Sequence, residues 1–377
     1  MNRINTPDSL GAAIVSSKEE LQAFLDFPYH HYAGDSGWVP PLKMLQNHAV
    51  DTRNNPFYNH AEIALFTASY NGEISGRIAA IYNKSYTEYT GSDTGFFGFF
   101  ESIDNQETAN LLFKVAGDWL KQRGLSKMIG PTNPSMLDEI GVLVDGFDIK
   151  PSIMMPYSKP YYDKLIKGAG LEKSVDLYAY RVTKDTVSLD RVDRAEQVVR
   201  RRTPNVTIRK INPRYLKREI GLIHKVFNKA WAQNWGFSEI SYEEFYDLGK
   251  GLKKFIDTDV AHIAELNGDP IGFSIALPDL NQVLQYMDGS LWPTGIFKFL
   301  YHKRNINSIR TALMGVIPEY QKRGIDVLLY GQAIRSGLKK GYVQAEMSWL
   351  LENNPDMLSV ARKIGGSLEK TYRLYQK

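Results

Sequence analysis

The chain has 377 residues, enough for two domains of ordinary size, and 43% hydrophobic with 23% charged residues fits a folded protein with a full core. It has no cysteine, which excludes disulfides, thiolate metal sites and cysteine nucleophiles. A net charge of +4 is too small to argue for nucleic acid, Met1 to Gly11 lacks a signal-peptide core, and no run of about 18 apolar residues offers a membrane span. A reducing cytoplasm is the expected compartment. The aromatic residues (22 Tyr, 17 Phe, 6 Trp) are part core and part candidate lining for an apolar ligand channel.

In chain order, a short helix is expected over Lys18 to Phe27, followed by turn chemistry around Trp38. His30, His31, His48 and His60 are scattered without metal-ligand spacing, so no metal is expected. Ala61–Ala68 and Ile74–Tyr82 read as a hairpin across Asn71-Gly72. A strand over Gly95–Phe100 precedes a helix from Asn105 to Arg123, and Lys127 to Gly130 starts the next strand. Residues 135–160, rich in Asp, Gly, Pro and Met, form a long insertion whose functional reading is a cleft wall and whose plain reading is a surface excursion. Tyr161–Gly168 reads as a helix and Leu171–Val182 as an alternating strand.

Ser188 is placed to cap a helix with Leu189, Val192, Val198 and Val199 on its apolar face and five arginines on the other. Residues 186–205 are therefore expected to be a solvated linker. The second half then repeats the first. Asn267-Gly268 matches Asn71-Gly72, and Leu368-Glu369-Lys370 with Leu374-Tyr375 matches Leu171-Glu172-Lys173 with Leu177-Tyr178. Near-equal offsets at both ends argue for two copies of one fold, over 1–185 and 206–377.

In the second copy, Ala312, Leu313, Met314, Val316 and Ile317 read as a buried strand that breaks at Pro318. Polar Gln321, Lys322 and Arg323 follow, then Gly324 and a helical pattern through Ile325, Leu328 and Leu329. A glycine at a helix start, where backbone N–H groups lack partners, suits an anion; the alternative is an ordinary connection with solvated charges. The order Val316-x-Pro318-x-x-Gln321-x-x-Gly324 resembles the acyl-CoA loop of the GNAT N-acetyltransferase superfamily, Val-x-Pro-x-x-Arg/Gln-x-x-Gly-x-Gly/Ala. Asp326 departs from it, standing where the family has Gly or Ala. A carboxylate there opposes a pyrophosphate unless it points away.

The resemblance implies an α+β fold of two tandem GNAT-like domains, each a mixed, mainly antiparallel sheet flanked by helices. It implies N-acyl transfer from acetyl-CoA or a longer acyl-CoA to the amine of a small molecule or lipid precursor. The cofactor set it implies is Met314, Val316, Gln321, Lys322, Arg323, Gly324, Ile325, Asp326 and Asn354. The first copy reads Glu101-Ser102-Ile103-Asp104-Asn105 at the loop position and is expected to have lost pyrophosphate binding. The family's thiolate-protonating Tyr, seven residues after Asn354, is Ala361 here. Glu352 is the candidate base and Tyr330 a candidate acid, against plain readings as a helix-start carboxylate and a packing residue. Residues 289–310 turn from apolar to basic. A core helix is expected there, with an acyl-channel wall or a peripheral membrane contact as alternatives. A non-catalytic acyl-CoA sensor and a tRNA-dependent aminoacyl transferase are the competing functions.

Overall fold

The structure is a computed structural model that describes residues 10–253 and 255–377. Two compact units emerge. One holds the chain up to Leu177 with Leu284–Ile296 and Lys370–Lys377; the other holds Tyr178–Val283 and Phe297–Glu369.

The first unit begins with β1 (Gly11–Ile14), α1 (Lys18–His31) and α2 (Lys43–Ala49), then β2 (Ala61–Tyr70), β3 (Glu73–Asn83), α3 (Lys84–Thr90), β4 (Thr94–Ser102), α4 (Gln106–Lys121) and β5 (Lys127–Gly130). Short strands β6 (Thr132–Asn133), β7 (Glu139–Ile140) and β8 (Val142–Asp145) lead to α5 (Tyr162–Gly168) and β9 (Glu172–Thr183). Helix α1 starts with a reciprocal cap: Ser17 Oγ accepts from the Glu20 amide at 3.1 Å, and the Glu20 carboxylate accepts from the Ser17 amide at 3.0 Å. The sheet runs β1-β2-β3-β4-β5, antiparallel except for the β4–β5 pair. The segment 135–160 is more ordered than its composition suggests, because β7 pairs with β6 and β8 pairs with the chain's last strand.

The second unit holds α6 (Leu189–Arg202), β10 (Val206–Lys210), α7 (Leu216–Trp231), α8 (Tyr242–Leu252), β11 (Ala261–Leu266) and β12 (Asp269–Pro278). Helices α9 (Asn281–Leu284) and α10 (Gly295–His302) follow, then β13 (Ser308–Val316), α11 (Ile325–Lys340), β14 (Gln344–Leu351), α12 (Pro355–Lys363) and β15 (Ser367–Gln376). Its sheet runs β14-β13-β12-β11-β10, with β13–β14 the parallel pair. The last residues of β15 pair with β5 in the first unit, Tyr375 opposite Gly130.

The duplication is visible in backbone detail. Asn71 and Gly72 have φ of 53° and 83°, and Asn267 and Gly268 have 54° and 93°, the left-handed pair that a tight hairpin turn needs. Each hairpin carries a register shift just before its turn, after Ala68 and after Ala264.

The segment 186–205 forms α6, with its arginine-rich face exposed, and groups with the second unit. Val192, Glu196 and Val199 form the buried stripe of α6, while Val198 and Leu189 are exposed and the Ser188 side chain makes no cap. Glu196 sits in that stripe because Arg335 on α11 pairs with it at 2.6 Å. The segment 289–310 does not form a core helix: Phe297, Leu300 and Tyr301 of α10 face outward.

Candidate functional site

The second unit's sheet opens at one place. Strands β13 and β14 pair only over Ser308–Thr311 against Gln344–Met347. Strand β12 faces Thr311 with Ala276 and Leu313 with Ile275, so Ala312 is an extra residue that bends β13 away from β14. From Ala312 to Val316, β13 keeps β12 on one side and has no strand on the other, and these residues are only half-buried. Their outward amides and carbonyls line a fork. Trp231 at the end of α7 fixes its far arm: its indole N–H donates to the Met314 carbonyl at 2.9 Å.

Beyond β13 the chain turns at Pro318, and α11 begins at Ile325. Lys322 has φ of 60° and Gly324 of 84°, with Arg323 between them outside the left-handed region. Such alternation curls successive N–H groups toward one point and makes a concave anion seat. Among the described residues, the amides of 322–325 have no hydrogen-bond acceptor. Gln321 shapes the turn by donating its side-chain amide to the Val316 carbonyl at 3.0 Å. Arg323 lies over the Tyr320 ring at 5.2 Å. Gly324 is required twice over, by its φ and because a Cβ would fall 2.4 Å from Val199 on α6.

Asp326 is the discordant residue. It lies in the first turn of α11, where burial raises its carboxyl pKa above the ordinary value against the opposing pull of the nearby Val327 amide, with Asp356 of α12 adding to the shift.

At the base of the fork lies a buried polar network that periodicity alone did not single out. Arg310 and Glu346 are cross-strand partners in the last rungs of the β13–β14 ladder, and both are buried. Arg310 Nε donates to Ser348 Oγ at 2.8 Å and Nη2 donates to the Ser348 carbonyl at 3.3 Å. Ser348 Oγ in turn donates to Glu346 Oε1 at 2.8 Å. Ser348 is the first β14 residue past the final rung, where the ladder's own partners are lost, and the guanidinium replaces them. The Arg310 head also lies 5.6 Å from the Trp349 ring. The available signal was two charged residues at inward positions of otherwise apolar strands.

The other sequence-derived residues are dispersed. Tyr330 is buried on α11; its hydroxyl donates to Met357 Sδ at 3.6 Å, and burial raises its pKa. Asn354 caps α12, its Oδ1 accepting from the Met357 amide at 3.2 Å. Glu352 lies half-buried just past the end of β14. Ala361 is fully buried.

The chain is similar along nearly its whole length to Protein YghO of Escherichia coli (strain K12), with 36% identity covering 96% of this chain and 93% of that protein. It is also similar to the bacterial ceramide synthase of Caulobacter vibrioides, with 32% identity covering 99% and 98% of the two chains. A tandem GNAT protein from the clavulanic acid biosynthesis pathway shares the fold with a TM-score of 0.56, at 9% identity, over 98% of both chains. The chain belongs to the family of these two relatives and has the tandem GNAT fold. No family model matches it.

The first GNAT unit has the same fork, but closed. Strands β4 and β5 pair only over Thr94–Phe96, and a register shift follows Arg77 on β3. Beyond it, Asn133 Oδ1 accepts from the Phe99 amide at 2.6 Å, and a Cβ on Gly98 would lie 1.7 Å from the Thr132 carbonyl. Strand β6 therefore occupies the space that stays open in the second GNAT unit. Glu101, at the loop position, is held by Tyr32 (2.7 Å), Tyr162 (2.6 Å) and Arg77 (3.8 Å). Burial raises its pKa despite those partners. His31, whose ring meets the Tyr162 hydroxyl at 3.0 Å, is pushed down to about 4 by burial. A groove of about 910 Å³ runs beside this cluster, between α1 and Ile103.

Proposed function

We propose that the second unit is an N-acyltransferase centre that takes its acyl group from acyl-CoA or a pantetheine-bearing carrier. The observation that carries this reading is the join of an open fork to a turn with four unclaimed amides. The turn at 321–326 binds the donor's pyrophosphate, with Lys322 and Arg323 adding charge. The thioester lies along the free edge of Ala312–Val316, whose amides polarise its carbonyl. Asn354 and the start of α12 border the pantetheine arm.

The acceptor amine meets the thioester at the base of the fork. The acceptor enters as an ammonium; one of its three protons passes to Ser348 Oγ as the Ser348 hydroxyl proton passes to Glu346, leaving a neutral amine that attacks, and the amide product keeps one proton. The nitrogen–carbon bond forms and the carbon–sulfur bond breaks. The second nitrogen proton goes to the leaving sulfur, so no tyrosine acid is needed at position 361. Arg310 holds Ser348 aligned toward Glu346. Glu352 is the alternative base, from the outer end of β14. Tyr330 packs α12 against α11 in this scheme and carries no proton.

The similarity to a bacterial ceramide synthase supports an acceptor of the long-chain amino-alcohol class and a long acyl donor. The test is thiol release from a series of acyl-CoA lengths, with a long-chain amino alcohol and a short water-soluble amine as acceptors. Release that requires an amine and rises with both chain lengths supports the reading. Donor binding without release under any amine supports a second reading, an acyl-CoA sensor. The observation favouring that second reading is a partly buried carboxylate, Asp326, in the first turn of α11.

A further inference from the structure

From the exposed side of α10 we infer that the protein docks on an anionic lipid surface through residues 291–304. The segment is unusual in what it leaves uncovered. Trp292 is 79% exposed, Phe297 71%, Tyr301 74% and Leu300 48%. Helix α10 has an inward side as well: Phe299 packs against Phe255 with ring centroids 6.0 Å apart. Positions 297, 300 and 301 share the opposite side, at i, i+3 and i+4. The outward side is thus apolar by arrangement and is not an unravelled helix.

Trp292 is held where it stands. Its amide donates to Ser290 Oγ at 3.3 Å, and Ser290 Oγ donates to its carbonyl at 2.7 Å. Exposed aromatic rings in this number have no reason to face water and commonly mark a contact surface.

The charge pattern selects the occupant. From Leu291 to Asn307 there is no Asp or Glu, while Lys298, Lys303 and Arg304 are all cationic. Lys303 and Arg304 are exposed in the short turn that directly follows α10. Trp, Tyr, Phe and Leu followed by basic residues match the two layers of a bilayer interface: acyl chains and carbonyls for the rings, anionic headgroups for the cations. A second copy of the chain would need an acidic patch to meet Lys303 and Arg304, and the segment supplies none to a symmetric partner. The inference stands on exposure and charge and does not rest on acyl transfer, though it would bring a lipid acceptor to the enzyme.

The test is flotation of the full chain with vesicles of phosphatidylcholine alone and of phosphatidylcholine mixed with phosphatidylglycerol. Binding to the mixed vesicles only, weakened by salt, is expected. Phe297→Glu/Tyr301→Glu should lower vesicle affinity roughly tenfold or more. Lys303→Gln and Arg304→Gln should each lower it roughly fivefold. Brominated acyl chains should quench fluorescence in the wild type and much less in Trp292→Phe. Thiol release with the short soluble amine is followed in every variant, so that loss of docking and loss of chemistry are read separately. Equal binding of wild type and the Glu double variant would overturn the inference. So would a wild-type dimer that the same double variant splits.

Discussion

Asp326→Asn probes the donor site without touching its open amides. In the native chain the carboxylate lies on the first turn of α11 and is partly buried. An acid there stabilises a helix by about 0.3–1 kcal/mol, so the variant should lose no more than that in unfolding free energy. Donor binding should move the other way. A phosphate charge about 6 Å from the carboxylate costs roughly 1.4–2.8 kcal/mol for an effective dielectric of about 40 to 20. The variant should therefore bind acyl-CoA roughly tenfold to a hundredfold more tightly near neutral pH. The pH dependence follows from the raised pKa. As pH falls through that value the native carboxyl takes up a proton, the repulsion vanishes, and native affinity climbs toward that of the variant. Calorimetric titration of both proteins at fixed ionic strength, stepping down from about pH 8, measures the gap and its narrowing. Equal or weaker binding by Asp326→Asn at neutral pH would refute the placement of the donor at this turn.

Two further outcomes are expected. Ser348→Ala should cut turnover roughly a hundredfold at unchanged donor affinity, whereas Glu352→Gln should change it less than about threefold; the reverse pattern would move the base to Glu352. His262 is fully buried with neither ring nitrogen hydrogen-bonded among the described residues, and burial pushes it down to about 4. The native state therefore resists a proton that the unfolded chain accepts. Stability should be full above about pH 6.5 and fall by roughly 2–3 kcal/mol as pH drops to about 4. His262→Gln should flatten that slope in chemical denaturation, and an unchanged slope would assign the loss to other groups.

What could be read in the sequence was what depends on backbone chemistry. Asn71-Gly72 and Asn267-Gly268 announce hairpins because few other pairs accept two left-handed residues, and both turns have that geometry. The run from Val316 to Gly324 marks a strand, a turn and a helix start for the same reason. Features that depend on distant partners were not readable. Arg310 is an isolated charge in an apolar strand, and its role shows only when Glu346 and Ser348 are brought beside it by the parallel register. Glu196 looks solvated until Arg335 comes across from α11. The plug in the first unit is a two-residue strand after Pro131, too short to have a period. The apolar residues of 289–310 suit a core or a surface equally by composition, and only their position shows that Phe297 and Tyr301 face outward.

The most direct test is hydrogen–deuterium exchange with and without a long-chain acyl-CoA. Slowed exchange confined to peptides covering 312–326 is the predicted result, since those amides would gain acceptors from the thioester and the pyrophosphate. Protection in 97–105 of the first unit instead, or none in either fork at saturating ligand, would contradict it.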